Sequence, residues 1–284
     1  MSADLVFSTW EETVAWLRAQ PDQAELVIAS YYDDPLPAAA DRYYLSDEWR
    51  AIRELLLGRS GRALDVGAGR GIASYALARE GFEVTALEPD PSKLVGVGAI
   101  RALATETGFP IGVVQDFSER LPFAVGEFDV VFARAVLHHT RDLDTACAEL
   151  ARALKPGGLL VAVREHVISR KEDLPAFLKS HPLHRYYGGE NAFLLSQYRE
   201  ALTSAGLQIE RQLSPLASPI NYSPQTRESL RREIVARART VPGLGLLLSV
   251  VLRPEPMLSL ALSVAGLIDR RPGRLYSFIC RKPD

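Results

Sequence analysis

ALDVGAGRGIASYALA, residues 63–78, runs from an apolar stretch through a glycine corner into the opening turns of a helix. Gly67, Gly69 and Gly71 stand at the corner, where glycine lets the chain turn tightly and approach a ligand with no side chain in the way. The helix that follows offers unpaired N–H groups and a partial positive charge, which suit a carboxylate or a phosphate. The stretch predicts a strand–turn–helix seat for a nucleotide-like cofactor. It leaves open which cofactor, because a tight structural turn would use the same glycines.

Working outward, apolar strand candidates lie at 62–66, 83–88, 111–115, 128–133 and 159–164, with helical stretches at 71–80, 91–107 and 142–153 between them. This alternation predicts an α/β fold, a doubly wound Rossmann-like parallel sheet with helices on both faces. Right-handed crossovers then leave a crevice at the carboxyl ends of the strands. Upstream, residues 1–60 read as a helical cap. STWEETVAWLRAQ carries a Ser/Thr cap, and LSDEWRAIRELLLG has Ser46 as cap and Gly58 past its end. The proline-broken YYDDPLPAAADRYY between them reads as a loop.

Three acids sharpen the glycine corner. Asp65 interrupts an otherwise apolar strand, Glu88 closes the second strand, and Asp116, followed by Phe117, closes the third. A carboxylate at the second position can accept hydrogen bonds from vicinal ribose hydroxyls, and one at the third can meet an exocyclic amine beside an aromatic wall. A nicotinamide dinucleotide site expects G-x-G-x-x-G, whereas this chain has Ile72 where the last small residue belongs. Hydride transfer with NAD(P) is the weaker alternative.

LDVGAGRG, ALEPD, VVQDFSERLPFAVGEFDVVFARAVLHH and ELARALKPGGLLVAV, taken in order, resemble the class I S-adenosylmethionine-dependent methyltransferases, in particular the group that methylates small molecules. The resemblance is dense over about 62–165. It implies a seven-stranded sheet whose last two strands form a reversed hairpin, for which 207–212 and 275–280 are the candidates. It also implies that S-adenosyl-L-methionine binds and S-adenosyl-L-homocysteine is released. Asp65, Gly67, Ala68 and Gly69 would hold the methionine end and Glu88 the ribose hydroxyls, with Pro89 beside the adenine. Asp116 and Phe117 would meet the adenine, and Arg134 and His139 would add contacts. The methyltransferase domain would then comprise 61–213 and 274–284, interrupted by a helical insertion or lid at 214–273. A protein that binds the cofactor for an assembly or regulatory role, without methyl transfer, carries the same motifs.

Methyl transfer from a sulfonium is an in-line displacement, helped by alignment and by a group that takes the nucleophile's proton. His138 and His139, just after the fourth strand, are candidates for that group, and His166, with Glu165 beside it, is another. The run HPLHRYYGGENAF, residues 181–193, predicts an acceptor-lining loop. In it His181 and His184 compete for the proton, Arg185 offers a partner for an anionic substrate group, and Tyr187 and Asn191 add contacts. Gly188, Gly189 and Asn191 also suit a turn followed by a helix cap.

With 47% apolar residues, 24% charged residues and a formal net charge of -2, nothing points to nucleic-acid binding. Neither the Pro-Pro motif of nucleobase amino-methylating enzymes nor the Pro-Cys of cytosine carbon methylation follows the fourth strand. Cys147 and Cys280 show no metal-ligand spacing, and no metal site is expected. The start lacks a basic-then-apolar signal, and the apolar pieces 244–252 and 257–268 are too short to span a bilayer. A cytoplasmic protein with a small-molecule acceptor is the expectation, its oligomeric state left open. Residues 227–268 start with a basic helix and continue into apolar ones. They read either as helices packed on the sheet domain or as a platform making peripheral membrane contact.

Overall fold

The apolar runs become the strands of one sheet in the computed structural model, which describes residues 7–284 apart from the side chains of Arg185 and Leu244. The chain opens with α1 (Trp10–Arg18), α2 (Ala24–Ala29), α3 (Leu36–Tyr44) and α4 (Asp47–Leu55). The alternation follows as β1 (Arg62–Val66), α5 (Ile72–Arg79), β2 (Glu83–Leu87), α6 (Val97–Thr107), β3 (Ile111–Val114), β4 (Phe128–Arg134), α7 (Leu143–Ala153) and β5 (Leu154–Ile168). Next come α8 (Leu174–Ser180), α9 (His184–Tyr187), β6 (Phe193–Leu194), α10 (Leu195–Ser204) and β7 (Gln208–Leu213). Four helices, α11 (Pro219–Tyr222), α12 (Arg227–Ala238), α13 (Leu244–Val251) and α14 (Glu255–Ile268), precede β8 (Arg274–Arg281). The start of the chain, on which the absence of a targeting signal was judged, includes residues 1–6, which lie outside the described residues.

The strand order is β3-β2-β1-β4-β5-β8-β7, with the short β6 paired to β5. The strands from β3 to β5 are parallel, and β8 runs antiparallel to both β5 and β7. Winding reverses between β1 and β4, and the crevice of a doubly wound sheet opens at such a switch point. Alternation within the strands sorts the core into two layers. Ala63, Val130, Phe132, Val161 and Val163 pack against Trp49 and Ile52 of α4 and Ala73 and Leu77 of α5. Leu64, Val131, Leu160, Phe278 and Cys280 pack on the other face against Cys147 and Leu150 of α7 and Tyr198 of α10. Phe128, Phe132 and Phe278 are fully buried, each contributing about 1.5–3 kcal/mol.

Local chemistry explains the helix starts. Thr9 and Glu12 form a capping box at α1, and the Ser46 hydroxyl accepts from the Trp49 N–H at α4, an arrangement worth about 1 kcal/mol. The expected loop at 31–44 is half helix. Pro35 sits at the N-cap of α3 and Pro37 in its first turn, where a missing N–H costs nothing. The helix expected over 91–107 starts only at Val97. The Ser92 N–H donates to Asp90 Oδ1 in a turn, and a Cβ at Gly96 would lie 2.0 Å from the Asp90 carbonyl.

Residues 214–273 are helical, with a small core of their own around Tyr222, Leu230, Leu258 and Leu262. α14 buries Leu258 and Leu262 in that small core, while Leu246, Leu247 and Val250 of α13 and Leu260 and Leu267 of α14 are exposed. The basic face expected on α12 is partly neutralised: Arg227, Arg231 and Arg237 pair with Glu255, Glu228 and Glu233. Among the described residues, no helix is long and apolar enough to cross a membrane.

Candidate functional site

The carboxyl ends of β1, β2, β4 and β5 open into a cavity of about 1080 Å³. Its floor is the glycine corner. Gly67, Gly69 and Gly71 have φ of 61°, 55° and 81°, a region that costs other residues about 1–2 kcal/mol. A Cβ on Gly67 would also meet Val136 Cγ2 at 2.7 Å, so packing fixes this glycine. A Cβ on Gly69 would meet only the Val95 carbonyl, at 3.9 Å. The space over Gly69 is therefore left free on the cavity side.

The acids frame that space. Glu88 accepts from the Gly69 N–H at 2.7 Å and the Asp90 N–H at 2.9 Å, and its carboxylate keeps further lone pairs for a ligand. Asp65 is buried under the corner and accepts from the Ser74 hydroxyl at 2.5 Å. Burial pushes its carboxyl up to about 7. Asp116, Phe117 and Pro89 line the same cavity. Ala68 lines it too, and its N–H is tied to the Leu87 carbonyl at 3.0 Å.

Arg134, expected to touch cofactor, lines the cavity but gives its guanidinium to Glu48 at 2.6 and 3.1 Å. Arg164 reaches the same carboxylate at 3.5 Å and also donates to the Ile220 and Ser223 carbonyls. Burial alone would raise the Glu48 carboxyl, yet the two arginines hold it below the usual range. Arg70, in the glycine corner itself, donates to the Tyr31 and Asp33 carbonyls and to Asp34. It thereby holds the segment Ala29–Tyr32 against the cavity, which that segment lines.

The opposite wall is built of histidines. His138, after β4, is buried, and its Nδ1 lies 2.7 Å from Glu165 Oε2. Glu165 also accepts from the N–H groups of Val136, Leu137 and His138. His139 Nδ1 meets the Gly189 carbonyl at 2.9 Å, and His166 Nδ1 meets the Gly273 carbonyl at 2.8 Å. With an oxygen acceptor at each Nδ1, the neutral ring carries its proton there and presents a bare Nε2 lone pair. Burial keeps three rings of the wall neutral: it lowers His138 far below its ordinary value, His166 to about 3 and His181 to about 4. Desolvation raises Glu190, which sits among them.

His181 and Tyr187 join the wall, as does His166, but His184 and Asn191 do not line the cavity. His184, the first residue of α9, lies close enough to His181 to help lower that ring's pKa, although it is not part of the lining. Asn191 does not cap the next helix either. That helix starts at Leu195, and the Leu194 N–H donates to Gln197. The Arg185 side chain lies outside the described residues.

Glu48, Arg70 and Arg164 carry no signal of a role in the sequence, and Glu165 stands there only as the neighbour of His166. Glu190 had a readable signal, an acid in the same short run as His181 and a glycine pair. Glu190 belongs to two groups of three possible donors, one with His138 and His139 and one with His166 and His181.

Residues 64–162 match the family model described as a methyltransferase domain. A ubiquinone biosynthesis O-methyltransferase of Methylobacterium nodulans is 37% identical over 99 residues, covering 35% of this chain and 39% of that one. An uncharacterized methyltransferase of Mycobacterium marinum is 36% identical over 138 residues, covering 46% and 51%. The chain thus spans about half or less of the length of these two relatives. Among solved structures, the geranyl diphosphate C-methyltransferase of Streptomyces coelicolor superposes with a TM-score of 0.58 at 15% identity, over 89% of this chain and 87% of that one. The [4+2]-cyclase SpnF gives 0.55 at 22% identity, over 87% and 82%. At these identities the likeness is one of fold.

Proposed function

We propose that the class I S-adenosylmethionine-dependent methyltransferase domain carried by this chain at residues 64–162 methylates a small-molecule acceptor at oxygen. One observation carries this: a cofactor-shaped floor and a histidine wall face each other across a single cavity. The floor suits S-adenosyl-L-methionine. Gly69 leaves room for it, Glu88 has lone pairs for the ribose hydroxyls, and Asp116 with Phe117 suits the adenine edge. The bound cofactor supplies an electrophilic methyl on a sulfonium.

The chain's own residues position the acceptor. Its hydroxyl donates to a bare Nε2 of the wall, so the oxygen lone pair faces the floor. In the displacement the sulfur–methyl bond breaks as the oxygen–methyl bond forms, and the hydroxyl proton passes to an imidazole or to water. Alignment of this kind supplies effective molarities on the order of 10⁵ M or more. His138, which Glu165 orients, and His139 and His181 are the residues nearest this role.

The same fold carries a protein named as a [4+2]-cyclase, so turnover rather than fold decides the activity. The test incubates the full chain with S-adenosyl-L-methionine and a panel of phenols, enols and hydroxylated small molecules. Acceptor-dependent release of S-adenosyl-L-homocysteine with an O-methylated product is expected. Binding of the cofactor with no turnover on any class would reduce the chain to a cofactor-binding protein.

A further inference from the structure

We infer that the histidine wall is a binding site for one divalent first-row transition-metal ion, centred on Glu190. Four imidazoles surround this carboxylate. Glu190 Oε2 lies 3.8 Å from His138 Nε2 and 3.9 Å from His139 Nε2, and Glu190 Oε1 lies 3.8 Å from His181 Nδ1. These gaps are too long for hydrogen bonds. They are close to the separation of about 3.4 Å between ligands around a tetrahedral ion with bonds of about 2.05 Å. In each group of three donors the ligand atoms lie within 4.8 Å of one another.

The unpaired atoms point the same way. Glu190 Oε2 and His181 Nδ1 are buried without a hydrogen-bond partner, an arrangement that is costly unless something fills it. No arginine or lysine pairs with Glu190 among the described residues.

The outer hydrogen bonds are those of metal-ligating histidines. His138 gives Nδ1 to a carboxylate, and His139 and His166 give theirs to backbone carbonyls. Such partners fix the tautomer and aim the other nitrogen at the ion. The rings crowd together, with centroids 4.2 Å apart for His138 and His139, 4.6 Å for His138 and His166, and 5.4 Å for His166 and His181. Imidazole-rich donors select zinc, iron, cobalt or nickel over magnesium, which wants oxygen ligands.

This deepens the proposed function and rests on it for one consequence. The ion would hold the acceptor oxygen and ease loss of its proton, with the histidines serving as ligands instead of proton acceptors. His139, 42% exposed on its side chain, leaves a side of the site open toward the cavity.

The experiment strips the full chain with a chelator and titrates it with Co²⁺ alone, read by visible absorption and calorimetry. One equivalent should bind with the spectrum of a nitrogen-rich site, Zn²⁺ should displace it, and Mg²⁺ should not. Glu190→Gln and His139→Ala should weaken binding by more than the ~10–100-fold that loss of an outer partner costs. The exposed His139 keeps the test readable if the Glu190 variant fails to fold. No bound Co²⁺, or binding unchanged in His139→Ala and in any folded Glu190→Gln protein, would overturn the site. S-adenosyl-L-homocysteine is titrated into the same samples. Metal binding without it would break the proposed function and leave the metal site standing, and the converse would do the reverse.

Discussion

The floor and the wall of the cavity are built from different materials. The floor, residues 63–71 with Glu88, presents backbone: three glycines in the left-handed region and N–H groups tied to a single carboxylate. The wall presents side chains, gathered from the turn after β4, from β5, from the residue after α8 and from the turn after α9. A backbone surface tolerates little substitution because the fold itself depends on it. A side-chain surface can change without disturbing the sheet beneath. On the proposed function, the frame would carry cofactor binding and the wall acceptor choice.

Substitution should expose that contrast. Gly67→Val places a β-branched residue at a φ of 61° and drives a Cβ to 2.7 Å from Val136. A loss of roughly 2–5 kcal/mol is expected in chemical denaturation. A loss under about 0.5 kcal/mol would show that the floor is softer than described.

Asp65 gives a smaller effect with a definite sign. Its folded pKa, pushed up from 3.8 to about 7 by burial, means that the folded state binds the extra proton between those values. Stability therefore falls as pH rises from about 4 to 7, and the full cost is present above 7. Asp65→Asn should be more stable than the parent at pH 8, by an amount on the order of 2–4 kcal/mol, with the two converging in acid. Thermal melts across pH check this, and a variant less stable at pH 8 would refute the assignment.

On the wall, His139→Ala should change stability by no more than about 0.5 kcal/mol, because the ring is half exposed and bonded only to the Gly189 carbonyl. A drop of several kcal/mol would erase the contrast with the floor.

The same division governs what was legible in the sequence. Strands β1 to β4 lie within a residue of expectation because buried parallel strands are short, unbroken apolar runs. β5 extends well beyond 159–164 at both ends. Leu154 pairs with Phe128, and Glu165, His166 and Val167 pair with β8, contacts that no local pattern announces. The floor was legible for a related reason, since glycine spacing and strand-end acids are local signals. The wall was only partly so. His138, His166, His181 and Glu190 meet because β4 and β5 are neighbours and the loop at 181–190 folds over their ends. The buried Glu48 clamp on Arg134 and Arg164 joins a helix near the start of the chain to β4 and β5, more than eighty residues away.

The most direct measurement is calorimetric titration of S-adenosyl-L-homocysteine into the full chain and into Glu88→Ala, with NAD⁺ as a parallel ligand. The account predicts one site per chain for S-adenosyl-L-homocysteine, weakened about 10–100-fold in Glu88→Ala by loss of a charged hydrogen-bond acceptor. It predicts no binding of NAD⁺. Saturable NAD⁺ binding at the glycine corner, or S-adenosyl-L-homocysteine binding indifferent to Glu88, would contradict it.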